Sequence, residues 1–422
     1  SWEEIQADLR SGRPMNRLLQ GDVGSGKTVV AGLGASAVIA SGAQAAIMAP
    51  TSILAEQHFR SLKEQLVGDG LLIEDEIALL QGATPKAEKE RINQALAAGQ
   101  IKLLIGTHAL IEDPVRFADL QLVVIDEQHR FGVEQRAALR NKGEHTHLLV
   151  MTATPIPRSL ALSIYGDLEL SVIDELPPGR QEVDTHLLQP AQRKRAHDLI
   201  RKELEQGRQA FIIYPLVEGG EEKADKAAVE QSKALQKGAF SDWKIALLHG
   251  RLAAAEKEQV MADFRDRKAN ILVSTSVIEV GVDIPNASVM LIEGADRFGL
   301  AQLHQFRGRV GRGGDKAHCI LIPEAESDFE NERLSAMVAT NDGFALAEYD
   351  LQQRGPGEFL GKQQSGYSSL RFASLTDSRM IKQTRNMAVA ILADDPQLSQ
   401  PQHLALADSL QAFWRKEAGE VS

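Results

Sequence analysis

The amino-acid sequence predicts two tandem α/β domains with parallel sheets, followed by a mostly helical segment. Three observations predict it: short apolar runs alternate with helical stretches, a Pro/Gly break divides that alternation, and the strand rhythm stops after Pro323. The runs lie at 45–49, 103–106, 122–125, 148–151, 211–214, 245–248, 271–274 and 289–292. Helix-patterned stretches such as 52–66, 85–98, 193–206 and 253–266 lie between them. Strands alternating with helices of this length form βαβ units, whose crossovers cover a parallel sheet on both faces.

The break is Asp174-Glu175-Leu176-Pro177-Pro178-Gly179-Arg180. Two prolines and a glycine end any helix or ladder and suit a hinge. Domains at 1–176, 177–323 and 324–422 follow, the last helical except for a Gly-rich interruption at 354–366. The chain opens inside a helix at 2–9, which reads as a trimmed boundary. No long repeat is evident.

At 422 residues the chain exceeds one ordinary core, and 43% hydrophobic with 25% charged residues is a globular composition. No apolar run is long enough to span a bilayer, and no leader opens the chain. The net charge of −11 argues against a passive nucleic-acid binder, but not against an enzyme that needs only a local track of donors. The single cysteine, Cys319, makes no internal disulfide, which points to a reducing cytoplasm; within the apolar run 317–322 it reads as buried strand filler. The 11 histidines form no HxxxH or Cys/His pattern, so no zinc site is expected.

Gly21-Asp22-Val23-Gly24-Ser25-Gly26-Lys27-Thr28 matches G-x-x-x-x-G-K-[ST] in full, after a strand-like 17–20 and before a helix at 28–40. Gly21, Gly24, Ser25 and Gly26 let backbone N–H groups turn inward around phosphate oxygens, where a Cβ would obstruct the approach. The helix adds the positive end of its dipole. Lys27 should reach the β- and γ-phosphates, and Thr28 should ligate Mg²⁺.

Such a site needs an acid at the end of a buried strand, and Leu122-Val123-Val124-Ile125-Asp126-Glu127 supplies two. Asp126 would hold Mg²⁺, and Glu127 would orient or deprotonate the attacking water. Alone, such a pair is as often a solvated helix start. Gln128 and His129 sit where they could sense the γ-phosphate or make a plain interdomain contact. Thr152 and Thr154, in Thr152-Ala153-Thr154-Pro155, could couple the carboxylates to a distant loop or simply close a strand-end turn.

The second domain carries Gln305-Phe306-Arg307-Gly308-Arg309-Val310-Gly311-Arg312. Guanidinium forks with glycine spacers suit bidentate phosphate binding, and a basic surface turn is the plainer alternative. Supplied across a cleft, Arg309 and Arg312 would stabilise charge on a transferring phosphoryl group. In the same domain Asp283, with Gly281 beside it, is a candidate for sensing nucleotide, and Thr275 and Ser276 for touching phosphodiester oxygens.

In this order the motifs resemble superfamily 2 helicases, and in detail the RecG family of bacterial ATP-dependent DNA helicases. The stretches that carry the likeness are MNRLLQGDVGSGKT (15–28), MAPTSILAEQH (48–58), IGTHALIE (105–112), LVVIDEQHRFGVEQR (122–136), VMTATPIPRSLAL (150–162), LHGRL (248–252), STSVIEVGVDIPNASVMLIE (274–293), FGLAQLHQFRGRVGRG (298–313) and NDGFALAEYDLQQRGPGEFLGKQQSG (341–366). The resemblance implies two RecA-like P-loop domains, ATP and Mg²⁺ as cofactors, and motion on duplex DNA that remodels stalled forks and Holliday junctions in repair and recombination. It further implies branched double-stranded DNA as substrate, single-stranded DNA-binding protein as a candidate partner, and a monomer.

Carried over by motif position, Lys27, Thr28, Asp126, Glu127, Arg309 and Arg312 are the ATPase residues. Pro50, Thr51, Gly106, Thr107, His108, Thr275 and Ser276 match motifs that contact the DNA backbone. Arg354, Gly355 and Gln363 fall in a translocation motif expected to couple domain closure to movement on DNA. Two departures stand out: no segment matches the family's N-terminal wedge domain, and the upstream glutamine motif that reads adenine is missing. The motor of a transcription-repair coupling factor and an ATP-gated DNA-binding module are the alternative expectations. A metabolic kinase would need no such second domain.

Overall fold

The structure is a computed structural model that describes residues 1–127, 133–157, 161, 168–175, 181–215, 221–275, 284–359 and 378–419. The expected hinge at 177–180 lies outside the described residues. In the first half, α1 (Trp2–Arg10) precedes β1 (Asn16–Gly21), α2 (Lys27–Ala40), β2 (Gln44–Met48), α3 (Ser52–Gly68), β3 (Ile77–Leu80), α4 (Lys86–Ala97) and β4 (Leu103–Gly106). Then come β5 (Leu120–Ile125), α5 (Val133–Arg140), β6 (His147–Thr152) and β7 (Glu169–Ile173). The second half runs β8 (Val183–Leu187), α6 (Arg193–Glu205), β9 (Gln209–Ile213), α7 (Glu221–Lys237), β10 (Ile245–Leu248), α8 (Ala254–Arg265) and β11 (Ile271–Ser274). It continues with β12 (Ala287–Glu293), α9 (Leu300–Arg307) and β13 (Ala317–Ile322), then α10 (Glu332–Ala339), α11 (Gly343–Phe359), α12 (Ser378–Asp394) and α13 (Leu404–Gly419).

Two parallel sheets result. The first has the order β3-β4-β2-β5-β6-β1-β7 and the second β10-β11-β9-β12-β13-β8. Strand for strand, the second sheet repeats the first six positions of the first, with β8 in the place of β1. Central strands are buried along their whole length (β2, β4, β9, β11, β12), because helices shield both faces. Each sheet has its own core, one including Leu19, Ile47, Leu62, Val124 and Met151, the other Ile200, Ile212, Phe240, Val273 and Leu291.

One buried glutamine ties the base of each sheet. Gln44 Nε2 donates to the carbonyls of Leu96 (2.9 Å) and Ile101 (2.6 Å), while its Oε1 accepts the N–H groups of Ala118 (2.7 Å) and Asp119 (2.8 Å). Gln209, at the matching start of β9, donates to Phe264 O (2.6 Å) and Ala269 O (2.8 Å), and its Oε1 accepts from Asn286 Nδ2 (3.1 Å). Both side chains fasten the loop entering the next strand on either side, so buried backbone groups there find partners.

By compactness the chain divides into a unit of residues 1–155 and 169–347 and a unit of residues 156–168 and 348–422. The first holds both sheets. In the second, Asp395 accepts the N–H groups of Ser399 (3.0 Å) and Gln400 (2.8 Å) and contacts His403 Nδ1 (3.0 Å), shaping the turn between α12 and α13.

Three features differ from expectation. β3, β7 and β8 join the sheets, each at an edge; mixed polar and apolar residues hide the strand signal in β7 and β8, whereas β3 is an apolar run of four residues, too short for its period to separate strand from helix. The backbone of α11 stays helical through residues 354–357, where an interruption is expected; glycine lowers helix propensity without forbidding helical angles, and proline's own φ is helical. A His/Asp cluster also forms across two strands, although no linear histidine pattern announces one. Cys319 is fully buried on β13, and burial pushes its thiol up to about 12. Among the described residues, no helix is long and apolar enough to cross a membrane.

Candidate nucleotide site at the seam of two sheets

β1 delivers the chain to a loop that only glycine can complete. Gly24 and Gly26 have φ of 74° and 93°, in the left-handed region that side chains avoid. Gly26 caps α2, so the N-terminus of that helix faces the loop. At Gly21 a methyl group would lie 2.4 Å from Ser25 Oγ and 3.2 Å from Ile173 Cβ, so a larger residue would have to displace both. Ser25 is buried, and its hydroxyl has no hydrogen-bond partner among the described residues. Lys27 is buried too; its Nζ donates to the carbonyls of Gly21 and Asp22, both at 2.8 Å. Burial lowers its amine to about 8, with Arg312 adding to the fall and Asp126, Glu127 and Asp22 opposing it.

β5 supplies the acids. Burial pulls the Asp126 carboxyl up, but His58, Lys27 and the Glu127 N–H outweigh it and hold the group below the usual carboxylate range. His58 Nε2, on α3, lies 2.8 Å from Asp126 Oδ2, and the Glu127 N–H donates to Oδ1 at 3.0 Å. Glu127 itself has φ 52°, a conformation that costs a non-glycine residue about 1 kcal/mol or more. Burial and the Asp126 charge push the Glu127 carboxyl up; Arg309, Lys27 and the Ala153 N–H pull against them. An acid shifted upward next to one held down is the pattern expected of a base beside a metal-binding carboxylate.

The second sheet meets this loop through α9 and the turn after it. His304 Nε2 contacts Asp22 Oδ1 at 2.5 Å. Behind it, His304 Nδ1 lies 2.9 Å from Arg307 Nη2, and Arg307 Nη1 donates to the carbonyls of Met337 and Thr340, both at 2.8 Å. Gln305 Nε2 donates to Thr154 Oγ1 at 2.8 Å, and Thr152 Oγ1 accepts the Thr154 N–H at 3.2 Å. Gly308 faces Val23 so closely that a methyl group there would sit 2.7 Å from Val23 Cβ. Arg309 is buried, and its charge acts on Glu127; that of Arg312 acts on Lys27, while Arg312 Nε donates to Gly308 O at 3.0 Å.

The start of α11 shares this seam. A methyl group at Gly343 would lie 2.4 Å from His304 Nε2 and 2.6 Å from Pro155 Cγ. A cavity of about 280 Å³ sits alongside, bounded by Asp22, Asp174, His304, Arg307, Asp342 and Phe344. A larger one, about 540 Å³, opens at the opposite end of the first sheet beside Pro14, Leu120 and His147, away from the carboxyl ends of the strands where α/β sites form.

The expected DNA-contacting residues are placed unevenly. His108 is exposed, and Pro50 and Thr51 are half-buried. Thr51 Oγ1 caps α3 by accepting the Leu54 N–H at 3.4 Å. Gly106 lies against β3, where a methyl would sit 2.0 Å from Leu80 O; Thr107 and Thr275 are buried. Gln128, His129, Ser276, Gly281, Asp283 and Gln363 lie outside the described residues, as does the side chain of Arg354. His58, Asp22, His304 and Gln305 have no assigned role in the sequence. Their partners are 68, 282, 282 and 151 residues distant, and no local spacing signals such contacts.

Three families match successive parts of the chain: DEAD/DEAH box helicase over residues 3–162, helicase conserved C-terminal domain over 192–314, and ATP-dependent DNA helicase RecG, domain 3, C-terminal, over 340–419. The ATP-dependent DNA helicase RecG of Synechocystis sp. is 50% identical over 419 residues, 99% of this chain and 50% of that protein. RecG of Thermotoga maritima is 52% identical over 88% of this chain and 47% of its own length, and RecG of Bacillus subtilis 47% identical over 96% and 59%. The chain thus spans about half the length of the curated relatives it matches. A structure of RecG bound to a three-way DNA junction superposes with a TM-score of 0.73 at 50% identity, over 85% of this chain and 46% of that one. Mss116p bound to single-stranded RNA and AMP-PNP, at 19% identity and a TM-score of 0.60 over 79% of this chain and 70% of that one, shares the fold. This chain carries two tandem RecA-like helicase domains and a helical C-terminal region, and it is homologous along nearly its whole length to the RecG helicases.

Proposed function

We propose that this chain is the ATP-driven motor of a DNA helicase that moves on duplex DNA and remodels branched DNA, such as stalled forks and Holliday junctions. The observation that carries it is geometric: His304 reaches Asp22, Gln305 reaches Thr154 and Gly308 abuts Val23, so the turn bearing Arg309 and Arg312 lies against the 21–28 loop across a seam between two sheets. A nucleotidase confined to one domain has no use for that arrangement. The RecG relatives and the junction-bound RecG structure support branched DNA as the substrate.

In this reading the 21–28 loop cradles a triphosphate, which the left-handed glycines, the buried Ser25 hydroxyl and Lys27 all suit. Thr28 and Asp126 are the hard oxygen donors that would hold Mg²⁺, which supplies charge neutralisation at the phosphates. Glu127, its carboxyl raised, accepts a proton from the attacking water, and Arg309 and Arg312 offset the charge that develops on the transferred group. His58 positions Asp126. Within the unit that holds both sheets, the seam is held by the Gln305–Thr154 hydrogen bond and by the close approach of Gly343 to His304. Domain boundaries near 176/177 and 323/324, a monomeric state and residence in the cytoplasm belong to the same reading.

The test is ATP turnover with and without a branched duplex. The parent chain should turn over faster with the duplex. Arg309→Ala should lose about 10³-fold or more in rate while still binding ATP, and Glu127→Gln should hold ATP without hydrolysing it. Equal rates with and without DNA would sink the DNA-coupled reading, and unimpaired Arg309→Ala would sink the shared site.

A further inference from the structure

Away from the seam, the second sheet brings three metal-ligating side chains to one point on its edge. Asp184 and His186 are two residues apart on β8 and so project from the same face; His318, on β13, is the register partner of Asp184. His186 Nε2 lies 3.4 Å from His318 Nδ1 and 3.6 Å from Asp184 Oδ2, and His318 Nδ1 lies 4.0 Å from the same oxygen. The geometry points to a binding site for a borderline divalent transition metal, of which Zn²⁺ is the foremost example, that staples β8 to β13.

The spacing carries the assignment. Four ligands at the roughly 2.0–2.2 Å bond lengths of zinc on nitrogen and oxygen sit about 3.4 Å from one another at tetrahedral angles. Two of the three separations already fall near that value, and the third needs a small side-chain shift. Two imidazoles and one carboxylate suit zinc, cobalt, nickel or copper, whereas Mg²⁺ and Ca²⁺ ask for oxygen ligands. Three protein ligands leave a fourth position for water. All three residues are partly exposed, so an ion can reach them.

The one opposing feature is Lys316, whose Nζ lies 3.1 Å from Asp184 Oδ2. Its side chain is 64% exposed and free to swing into solvent, so it competes with the metal rather than blocking it. β8 has a sheet neighbour on one side only, so a cross-strand ion would stiffen an edge.

The experiment is equilibrium binding of Zn²⁺ to the tag-free full chain, with Co²⁺ as a spectroscopic probe and Mg²⁺ as a control. One Zn²⁺ per chain should bind at this site, and Co²⁺ there should show the intense visible bands of a tetrahedral centre. His186→Ala and His318→Ala should each weaken Zn²⁺ by more than the roughly 10–100-fold lost when only a hydrogen bond supporting a ligand is removed. Lys316→Ala should tighten it, an outcome that scattered surface histidines would not give. Zn²⁺ should raise the melting midpoint of the parent chain and not that of His186→Ala. Binding unchanged in both histidine variants, or weakened by Lys316→Ala, would overturn the site.

Discussion

His304 Nε2 and Asp22 Oδ1 stand 2.5 Å apart, although 282 residues of chain separate them. Asp22 belongs to the glycine-rich 21–28 loop of the first sheet, and His304 to the helix that precedes the arginines of the second. Arg307 buttresses the ring from behind, so the contact ties the loop to the carbonyls of Met337 and Thr340.

Removing the ring should loosen the seam without dismantling either core. A hydrogen bond to a charged group contributes about 1.5–3 kcal/mol, roughly tenfold or more in an equilibrium. We expect His304→Ala to cut DNA-stimulated ATP turnover about tenfold, with the melting midpoint little changed. Turnover at the parent rate would mean that the contact carries no closure energy.

Gly308 offers a steric counterpart. A methyl at that position would meet three atoms of Val23 at 2.7, 2.9 and 3.1 Å, and overpacking of this kind costs about 1–3 kcal/mol. Gly308→Ala should therefore lower turnover about tenfold, and Val23→Gly should restore part of it in that background while bringing no gain alone. A double-mutant cycle measures the coupling; strict additivity would refute a direct clash.

Lys27 leads to a pH effect with a definite sign. With its amine lowered to about 8, the side chain is mostly neutral above that value and charged below it. An arriving triphosphate favours the charged form, so nucleotide binding should take up a large part of one proton at about pH 9 and little at about pH 6.5. Calorimetric titration in buffers of different ionisation enthalpy reads the uptake directly. Identical heats at the higher pH would contradict the assignment of Lys27 as the phosphate-facing amine.

Gln44 tests the base of the first sheet. Its side chain is 1% exposed and satisfies two buried carbonyls and two N–H groups. Leaving such groups unpaired costs about 1–3 kcal/mol each, so Gln44→Ala should destabilise the first domain by roughly 3 kcal/mol or more. Thermal unfolding should show its transition lowered by roughly 6–12 °C, and Gln209→Ala should do the same to the second domain. A loss below about 1 kcal/mol would mean that water replaces the amide.

Most strands that were legible in the sequence are buried central ones, although β10 was legible at an edge because it too is an unbroken apolar run. β2, β4, β5 and β12 read as unbroken apolar runs because helices cover both their faces. β7 and β8 lie at edges, with partly exposed residues such as Glu169, Asp184 and His186, and their sequences carry no comparable run. At the site, glycine spacing announced the 21–28 loop, because glycine takes up left-handed backbone without the strain that a side chain brings. The contacts of His58, His304 and Gln305 had no such signature; they depend on which elements the sheet order brings together. The metal-ligating trio stayed hidden for the same reason, since His318 meets its partners only through strand register.

The matching strand order of the two sheets has a consequence for stoichiometry. β8 stands where β1 stands, yet β1 leads into Gly-Asp-Val-Gly-Ser-Gly and β8 into Leu188-Gln189-Pro190, which offers no ring of inward amides. Only one of the two copies of this plan can grip a triphosphate by its own backbone. In the function proposed above, each chain would therefore carry one triphosphate between its two halves, with the sibling half contributing side chains rather than a backbone cradle.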